Sequence, residues 1–503
     1  MSPLDLQTPL GVTLALLPEI VLTIASLVAL LLNAWRHTTA ADSRLAGWTC
    51  FAGVLASGAA LAYLWTSGAS PAGAPHMVAL DSFRFASLAL ILVATGVTIL
   101  LSLGYLEREG LLAPEYYVLV LFAAIGMMFL AGAEDLIVLF LGLEVMSVPV
   151  YVLAGYDRRN VFSSEASLKY FLIGAFASGF LLYGIALVWG GTGATSLSAI
   201  AAQVDRGGLS LMAALGLGLL LIGMGFKVAS VPFHMWAPDV YDGSPTPVAG
   251  FMATGVKAAA FLALARILLE GFPGAASTWQ PLVAALAIAS MVLGNLVALA
   301  QRSLKRMLAY SSIAHAGYLL AALWPGSRLA AGAVLTYLVA YVVTSLATFG
   351  ILSVLGRGGE RDVTLDSIAG LARRRPWLAF GLAVAMLSLL GFPGTLGFIG
   401  KWAILSALVE VKHLPLAVVL VLTSLVSAGY YLPVLMSAYM REPGPASTHG
   451  GSALPGPAAL AVGTAVVIVL ILGVLPAPVL DRAMETAGTL IRGASMVAAG
   501  GAP

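Results

Sequence analysis

The fold class this sequence predicts is an all-α polytopic membrane protein. It has about fourteen transmembrane helices, an inverted repeat of five-helix units, and breaks in helices 7 and 12. Three observations predict it. The 503 residues are 60% hydrophobic and only 10% charged, with a mean hydropathy of +0.98, whereas a soluble domain carries about 25% charged residues. Apolar runs near the ~20 residues that a bilayer-spanning helix needs recur from end to end, which selects helices over barrel strands. Lysines stand close to prolines inside two of those runs, the pattern of a helix interrupted within the membrane.

In chain order, the apolar runs place spans near 12–34, 45–66, 82–105, 115–133, 135–156, 164–190, 209–237, 246–270, 280–301, 306–324, 329–356, 376–410, 413–440 and 456–480. The stretches 71–75, 191–208 and 443–457, rich in Gly, Pro and Ser, read as loops. No basic region precedes the first run, Arg36 being the first positive charge, so that run reads as a retained helix and not a signal peptide. The seventh run carries Lys227 ahead of Pro232, and five runs later the twelfth carries Lys401 after Pro393. An offset of five spans reverses direction across the bilayer, as inverted repeats do. The chain then divides into a three-helix segment over 1–110, a first five-helix repeat over 111–275, a second over 276–441, and a last helix with its tail over 442–503. Arg36, Arg44, Arg108, Arg158, Arg159, Arg302, Lys305, Arg306, Arg357, Arg361, Arg373, Arg374, Arg375 and Arg441 follow odd-numbered spans, against about half as many on the other side, among them Arg84, Arg206, Arg328 and Lys412. The positive-inside rule then places both termini outside, the periplasmic face in a bacterium.

Composition also excludes functions. A net charge of +2 without a basic tail argues against a nucleic-acid partner. The single cysteine, Cys50, supplies neither an intrachain disulfide nor the roughly four thiolates of an iron–sulfur cluster. No glycine-rich dinucleotide fingerprint follows a predicted strand, and Gly216 and Gly218 lie in an apolar helix, where small residues serve packing. The chain is expected to hold no cofactor and to transfer no electrons itself.

What remains is a set of charges in hydrocarbon. Between Lys227 and Lys257 fall Pro232, Pro238, Pro245 and Pro247, with Asp239 and Asp242 at the turn. A proline inside a helix frees backbone groups, and a membrane tolerates this only where protein or water satisfies them. An intramembrane charge costs about 2.5–3.5 kcal/mol on insertion scales, so charge beside broken helix suggests a hydrated interior through which ions or protons move. Glu144 lies deep in the fifth run, five residues before Pro149; its bland reading is a protonated carboxyl packed between helices. Its functional reading is a carboxylate partner that changes a lysine's hold on a proton. Snorkelling is the bland reading of Lys227, but the apolar run ahead of it makes the interface distant. Lys257, halfway along the eighth run, reads as a relay or as helix-packing glue, and Lys401 as a relay or as the ion-pair partner of Glu410. His315 has an ordinary pKa near about 6.5, suited to bridging two lysines, although a lone histidine is commonly a hydrogen-bonded core residue. Tyr310, Ser311 and Ser312 could hold hydroxyls or water near it, and His234 is either a relay or a cap at the break. Asp135, Lys169, Arg266, Lys305 and Glu410 read as interfacial anchors; Trp236, Trp279 and Trp402 read as packing or interface residues.

The stretches FLGLEVMSVPVYVLAGY, SEASLKYFLIGAFASGFLLYGIAL, KVASVPFHMWAPDVYDGSPTPVAGFMATGVKAAAF, KRMLAYSSIAHAGY and LLGFPGTLGFIGKW resemble the antiporter-like membrane subunits of respiratory complex I, the NADH:quinone oxidoreductase of bacteria. The resemblance covers roughly 80–440. Lys401 stands where the M type has a glutamate, and the chain lacks the long lateral helix of the L type, so the N type is the better match. The resemblance implies a proton-translocating subunit of an energy-converting translocase in the bacterial inner membrane. Glu144 and Lys227 would form a pair at the broken seventh helix, Lys257 and His315 a central relay, and Lys401 an exit-side lysine. It implies that NADH, FMN, iron–sulfur clusters and quinone sit in other subunits. The partners it implies are the M-type subunit, the small K-, J-, A- and H-type subunits, the lateral helix of the L type, and the lipid bilayer. Three other readings stay open: a subunit of a multi-subunit sodium/proton antiporter, a structural spacer of the membrane arm, and a subunit of a membrane-bound hydrogenase.

Overall fold

The computed structural model describes residues 4–6, 8–35, 39–70, 76–111, 114–356, 363–443 and 455–499. Arg36, Arg357, Arg361, the loop 71–75 and most of the loop 443–457 lie outside the described residues. The rest is helical, and the strand-like contacts given for it are isolated bridges at helix ends, such as Val78 with Ala133 and Ser303 with Thr364. In chain order the long helices are α1 (Leu17–Trp35), α2 (Ala40–Thr66), α3 (Ser82–Arg108), α4 (Glu115–Gly132), α5 (Leu136–Ala154), α6 (Val161–Thr192) and α7 (Leu211–Val228). Then come α8 (Thr246–Gly271), α9 (Ala276–Ala298), α10 (Leu304–Leu323), α11 (Arg328–Leu355), α12 (Pro376–Leu390), α13 (Leu396–Glu410), α14 (Leu414–Met440), α15 (Gly456–Val474) and α16 (Ala477–Ala499).

Twelve of the described helices are long and apolar enough to cross a membrane. The other two expected spans correspond to α10, a 20-residue helix, and to α12 with α13, a run split into two helices of 15 residues each. One loop expectation is corrected, and the tail is found to carry a helix. The stretch read as a loop over 191–208 contains an amphipathic helix, Leu197–Gly207, and the tail after the last span forms α16. Both alternate polar and apolar residues too strongly to register as spans. A bilayer-plane reading suits such helices better than a loop reading.

Short polar residues start the helices, since the first turn leaves backbone donors without helical partners. Asp81 caps α3, Asp135 caps α5, Asn160 caps α6, Ser210 caps α7 and Ser303 caps α10. Small residues then let helices meet backbone to backbone, the usual solution where lipid supplies no hydrophobic drive. A Cβ on Gly126 of α4 would stand 2.2 Å from the Met146 nitrogen of α5, and one on Gly216 of α7 would stand 2.7 Å from the Val188 nitrogen of α6. A Cβ on Gly294 of α9 would stand 2.6 Å from the Ala314 nitrogen of α10. These contacts pair α4 with α5, α6 with α7, and α9 with α10. At the centre α8 is buried along its whole length and is wound with π-helical turns at Met252–Val256 and Ile267–Gly271. Such turns displace the residues that follow them and gather at functional positions.

Candidate functional site

The chain breaks after Lys227 because the local sequence leaves the helix no way to continue. Ala229 takes the left-handed conformation at φ 58°, its N–H and that of Ser230 closing onto the Phe226 and Gly225 carbonyls at 3.0 and 2.9 Å. Pro232 follows, and a short helix, Ala237–Gly243, resumes the direction. The second break, between α12 and α13, also starts at a left-handed residue, Gly391 at φ 86°. It is closed from outside by α15, where a Cβ on Gly473 would stand 2.5 Å from the Gly394 carbonyl oxygen.

Lys227, Lys257, Lys401 and His315 are each 8% exposed or less, so none reaches an interface by snorkelling. Each has a specific partner. The Lys227 ammonium donates to Ser147 Oγ on α5 at 2.7 Å and sits 5.4 Å from the ring centres of both Tyr151 and Tyr170, where ring quadrupoles favour a cation. Glu144 stands one turn before Ser147 on α5, half-buried, and accepts a hydrogen bond from Ser178 on α6. It makes no direct ion pair with Lys227. A cleft of about 10 Å³, lined by Tyr151, Ser178, Phe226 and Lys227, adjoins the lysine and the serine that donates to Glu144, with about the room one water takes.

Lys257 is the first residue after the π-turn Met252–Val256. It donates to the Ser312 carbonyl at 2.7 Å and to the Ser312 hydroxyl on α10, and Tyr341 donates to that same hydroxyl at 2.9 Å. One turn along α10, His315 shares hydrogen bonds with Tyr337 through Nδ1 at 2.5 Å and with Tyr431 through Nε2 at 3.1 Å. Tyr431 also bonds Ser311. The His315 ring lies 5.0 Å from Tyr341 and 5.5 Å from Tyr318. Lys401 donates to the Leu390 carbonyl at 2.8 Å, the free C-terminal end of α12, and sits 4.8 Å over the Tyr318 ring. Three groups result: a Glu144/Lys227 station, a Lys257/His315 centre joined by aromatic rings, and a Lys401 station beyond Tyr318.

Of the sequence-predicted residues, the structure gathers Glu144 with Lys227, and Lys257 with His315, Ser311 and Lys401. Tyr310 is half-buried against the apolar core and stays outside the His315 hydrogen bonds. His234 lies in the first break; its carbonyl caps the short helix through Ala237 N–H at 2.9 Å, while its ring Nδ1 is buried without a hydrogen-bond partner. Glu410 is exposed, and the bond Lys401 makes goes to a carbonyl. Sequence reasoning missed Ser147, Ser178, Tyr318, Tyr337, Tyr341 and Tyr431. The spacing of Tyr337 and Tyr341, one turn apart on one helix face, is a signal that could have found two of them.

Arg266 and Lys305 correct the expectation of interfacial anchors. Lys305 is 1% exposed and donates to the Ser244 carbonyl at 2.7 Å. Arg266 is fully buried, with two bonds to Asp81 at 2.7 and 2.9 Å and one to Glu270 at 3.0 Å. Beside it Arg84 and Glu19, also buried, pair at 2.6 Å. Glu134, in the bend between α4 and α5, faces this group. Burial and repulsion from Glu270 push its carboxyl up to about 8, against the pull of Arg266.

A helical bundle with two interrupted helices, each carrying a buried lysine at its break, and a further lysine and histidine between them defines an antiporter-like membrane protein. The family described as NADH:quinone oxidoreductase/Mrp antiporter, TM, matches residues 133–427, and the chain belongs to it. NADH-quinone oxidoreductase subunit N of Gemmatimonas aurantiaca is 43% identical over 501 residues, covering 94% of this chain and 93% of that one. Its counterpart in Rhodospirillum rubrum is 39% identical, covering 94% and 96%. A chain of respiratory complex I from Thermus thermophilus with bound aureothin superposes with a TM-score of 0.78 at 39% identity, covering 92% of this chain and 98% of that chain. A chain of the Mrp complex from Dietzia shares the fold, with a TM-score of 0.84 at 22% identity and coverage of 97% and 99%.

Proposed function

We propose that this chain is the N-type, proton-translocating membrane-arm subunit of a bacterial NADH:quinone oxidoreductase. The observation that carries the reading is the burial of three lysines and a histidine in one bundle, each held by a hydroxyl or carbonyl and none by a carboxylate in direct contact. A structural ion pair would keep its carboxylate close, because a buried charge without one is unstable. A lysine held by a neutral group instead gives up its proton when a nearby charge moves. Glu144 is that charge for Lys227, one turn from Ser147 on α5 and held by Ser178, which lines the small cleft beside the lysine. Protons pass among Glu144, Lys227, Lys257, His315 and Lys401, with Ser311 and Tyr431 extending the centre; His234 and Tyr310 have no place in the path. The breaks after Lys227 and before Lys401 supply backbone that can shift without unwinding a whole helix.

Several finer points belong to the same proposal. The chain has no redox chemistry of its own; NADH, FMN, iron–sulfur clusters and quinone are bound by other subunits, whose turnover drives the charges here. The neighbours are the M-type subunit, the small K-, J-, A- and H-type subunits and the lateral helix of the L type. Both termini face the periplasm, and helices 4–8 and 9–13 of the fourteen-span count form the inverted repeat over 111–275 and 276–441. In support, both breaks begin at a left-handed residue and both lie beside a buried lysine.

The test is NADH-driven proton uptake by inverted membrane vesicles carrying Lys227→Met, normalised to assembled complex and set beside NADH:quinone turnover. Pumping and turnover that fall together with assembly intact support the proposal. Wild-type values for both make the chain a spacer, and exchange that requires sodium makes it an antiporter subunit.

A further inference from the structure

Between Lys227 and Lys257 lie two carboxylates, Asp239 and Asp242, that the proton path leaves unused. Both belong to the short helix Ala237–Gly243 after the first break. Asp239 Oδ2 accepts from Lys169 Nζ of α6 at 2.8 Å, and its Oδ1 accepts from Arg306 Nη1 of α10 at 2.7 Å. Asp242 Oδ1 accepts from Ser303 Oγ at 2.8 Å, and Lys305 Nζ donates to the Ser244 carbonyl at 2.7 Å. Three of these four bonds end on residues 303–306, the cap and first turn of α10. The fourth ends on Lys169, which has a second carboxylate, Glu165, one turn back on its own helix at 2.6 Å. The Arg306 and Asp239 side chains are 36% and 34% exposed, and pairs that open add little to stability. What this corner adds is a link between two parts of the bundle that carry different proton stations.

We propose, resting on the proton path above, that Asp239 is a positioning residue that couples the Lys227 station to the Lys257/His315 centre, tying the segment after the first break to the first turn of α10 through Arg306. The chain between α7 and the short helix runs through turns, so the short helix can tilt without bending α7. A change of charge at Lys227 acts on this segment directly, since Trp236 Nε1 donates at 3.0 Å to the carbonyl of Phe226, the residue before the lysine. At the other end α10 is one unbroken helix of 20 residues. A displacement at Arg306 therefore reaches Ser312 and His315, about 9 and 14 Å further along its axis. Ser312 holds Lys257 through its carbonyl at 2.7 Å, so the displacement alters the contact that keeps that lysine's proton. Lys305 is buried, and its bond to the Ser244 carbonyl just before α8 is the pivot on which α10 turns. Lys169 keeps Glu165 when Asp239 moves away; it steadies the short helix and transmits nothing to α10. Coupling between two sites needs an element with two arrangements that both sites bias, and the interrupted stretch supplies it.

The test uses inverted vesicles, whose outer surface presents this corner in the proposed topology. NADH-driven proton uptake is normalised to assembled complex and set beside a thermal melt. Asp239→Asn and Arg306→Met are each expected to slow uptake about fivefold, with the melt near wild type. Asp239→Glu and Lys169→Met are expected to keep most of it. Asp239→Cys/Arg306→Cys is expected to pump slowly, to recover when a short bis-thiosulfonate reagent bridges the two thiols, and to lose the gain on reduction, with treated wild type as the control. Cys50, the single native cysteine of the chain, is fully buried and stays out of the bridge. Wild-type uptake by Asp239→Asn, equal falls in Lys169→Met and Arg306→Met, or a bridged double variant that stays slow overturns the coupling. Lys227→Met separates the two ideas. If it is inactive while Asp239→Asn pumps normally, only the coupling fails; if both pump normally, the proton path fails as well.

Discussion

Tyr431→Phe isolates the hydroxyl that joins His315 to Ser311. The ring is 1% exposed and phenylalanine keeps its shape, so packing is preserved and only the polar atom leaves. Two bonds go with it: the 3.1 Å contact to His315 Nε2 and the contact to Ser311. Leaving buried partners unsatisfied costs about 1–3 kcal/mol. If protons leave His315 through this hydroxyl, that energy enters the barrier, and at ~1.36 kcal/mol per factor of ten the rate falls about 5- to 150-fold. The assay is NADH-driven proton uptake into inverted vesicles, normalised to assembled complex, with a thermal melt on the same preparation. Tyr430→Phe is the control. It removes the neighbouring hydroxyl, which donates to Asn295 Oδ1 at 2.8 Å, and leaves His315 untouched. Tyr431→Phe is expected to slow pumping at least fivefold while Tyr430→Phe retains most of it. Wild-type pumping by an assembled Tyr431→Phe complex, or an equal fall in the two variants, refutes the route.

Three further outcomes are expected. Arg84→Met strands the buried Glu19 carboxylate, and breaking a buried pair costs about 3–5 kcal/mol; the yield of assembled complex falls and Glu19→Leu in the same chain restores it. Glu134→Gln changes the pH dependence of stability. The folded chain keeps a proton on Glu134 up to about 8, where its ordinary value is 4.5. Folding therefore retains a proton that the unfolded chain has released, and this contribution to stability is lost as pH rises from 4.5 to 8. Thermal melts should show Glu134→Gln gaining on the wild type at pH 9 and matching it more closely at pH 5. Gly126→Val forces α4 and α5 apart, since even a Cβ would stand 2.2 Å from backbone; proton uptake per assembled complex falls because Glu144 moves with α5, and Gly179→Val, with open space around it, leaves uptake unchanged.

Much of the fold was legible because a bilayer imposes a coarse rule. Most long apolar runs became helices within a few residues, and the two that did not, 209–237 and 376–410, are the ones broken where proline and glycine demanded it. The helix Leu197–Gly207 and α16 escaped because their apolar residues occupy one face only, so averaged hydropathy records them as neutral. Arg266 and Lys305 misled for a different reason. A charge near a helix end looks like a snorkelling anchor, and only the packing of α3 and α4 around α8 shows that the Arg266 end is enclosed and its carboxylates already supplied.

The lysines and His315 stand out in sequence because charge in hydrocarbon is costly; the hydroxyls that connect them do not. Most serine and threonine hydroxyls in these helices donate to the carbonyl one turn back. Ser87 to Phe83 at 2.6 Å, Thr95 to Ile91 at 2.7 Å, Thr254 to Gly250 at 2.7 Å and Thr336 to Gly332 at 2.9 Å are typical. A hydroxyl satisfied in this way needs no partner on another helix, so its presence in an apolar run carries little information. Ser147 differs by accepting from Lys227 while it donates to its own helix, and Ser312 by receiving both Lys257 and Tyr341. Those second bonds depend on which helices are neighbours, a property of the packed bundle that no single run contains. Tyrosine cannot reach its own helix's carbonyls, so a buried tyrosine hydroxyl usually finds its partner across a helix interface, although among the described residues those of Tyr117 and Tyr170 do not. Tyr337, Tyr341 and Tyr431 do so at His315 and Ser312, which makes buried tyrosines facing a buried cation the more informative sequence signal for the centre of this site.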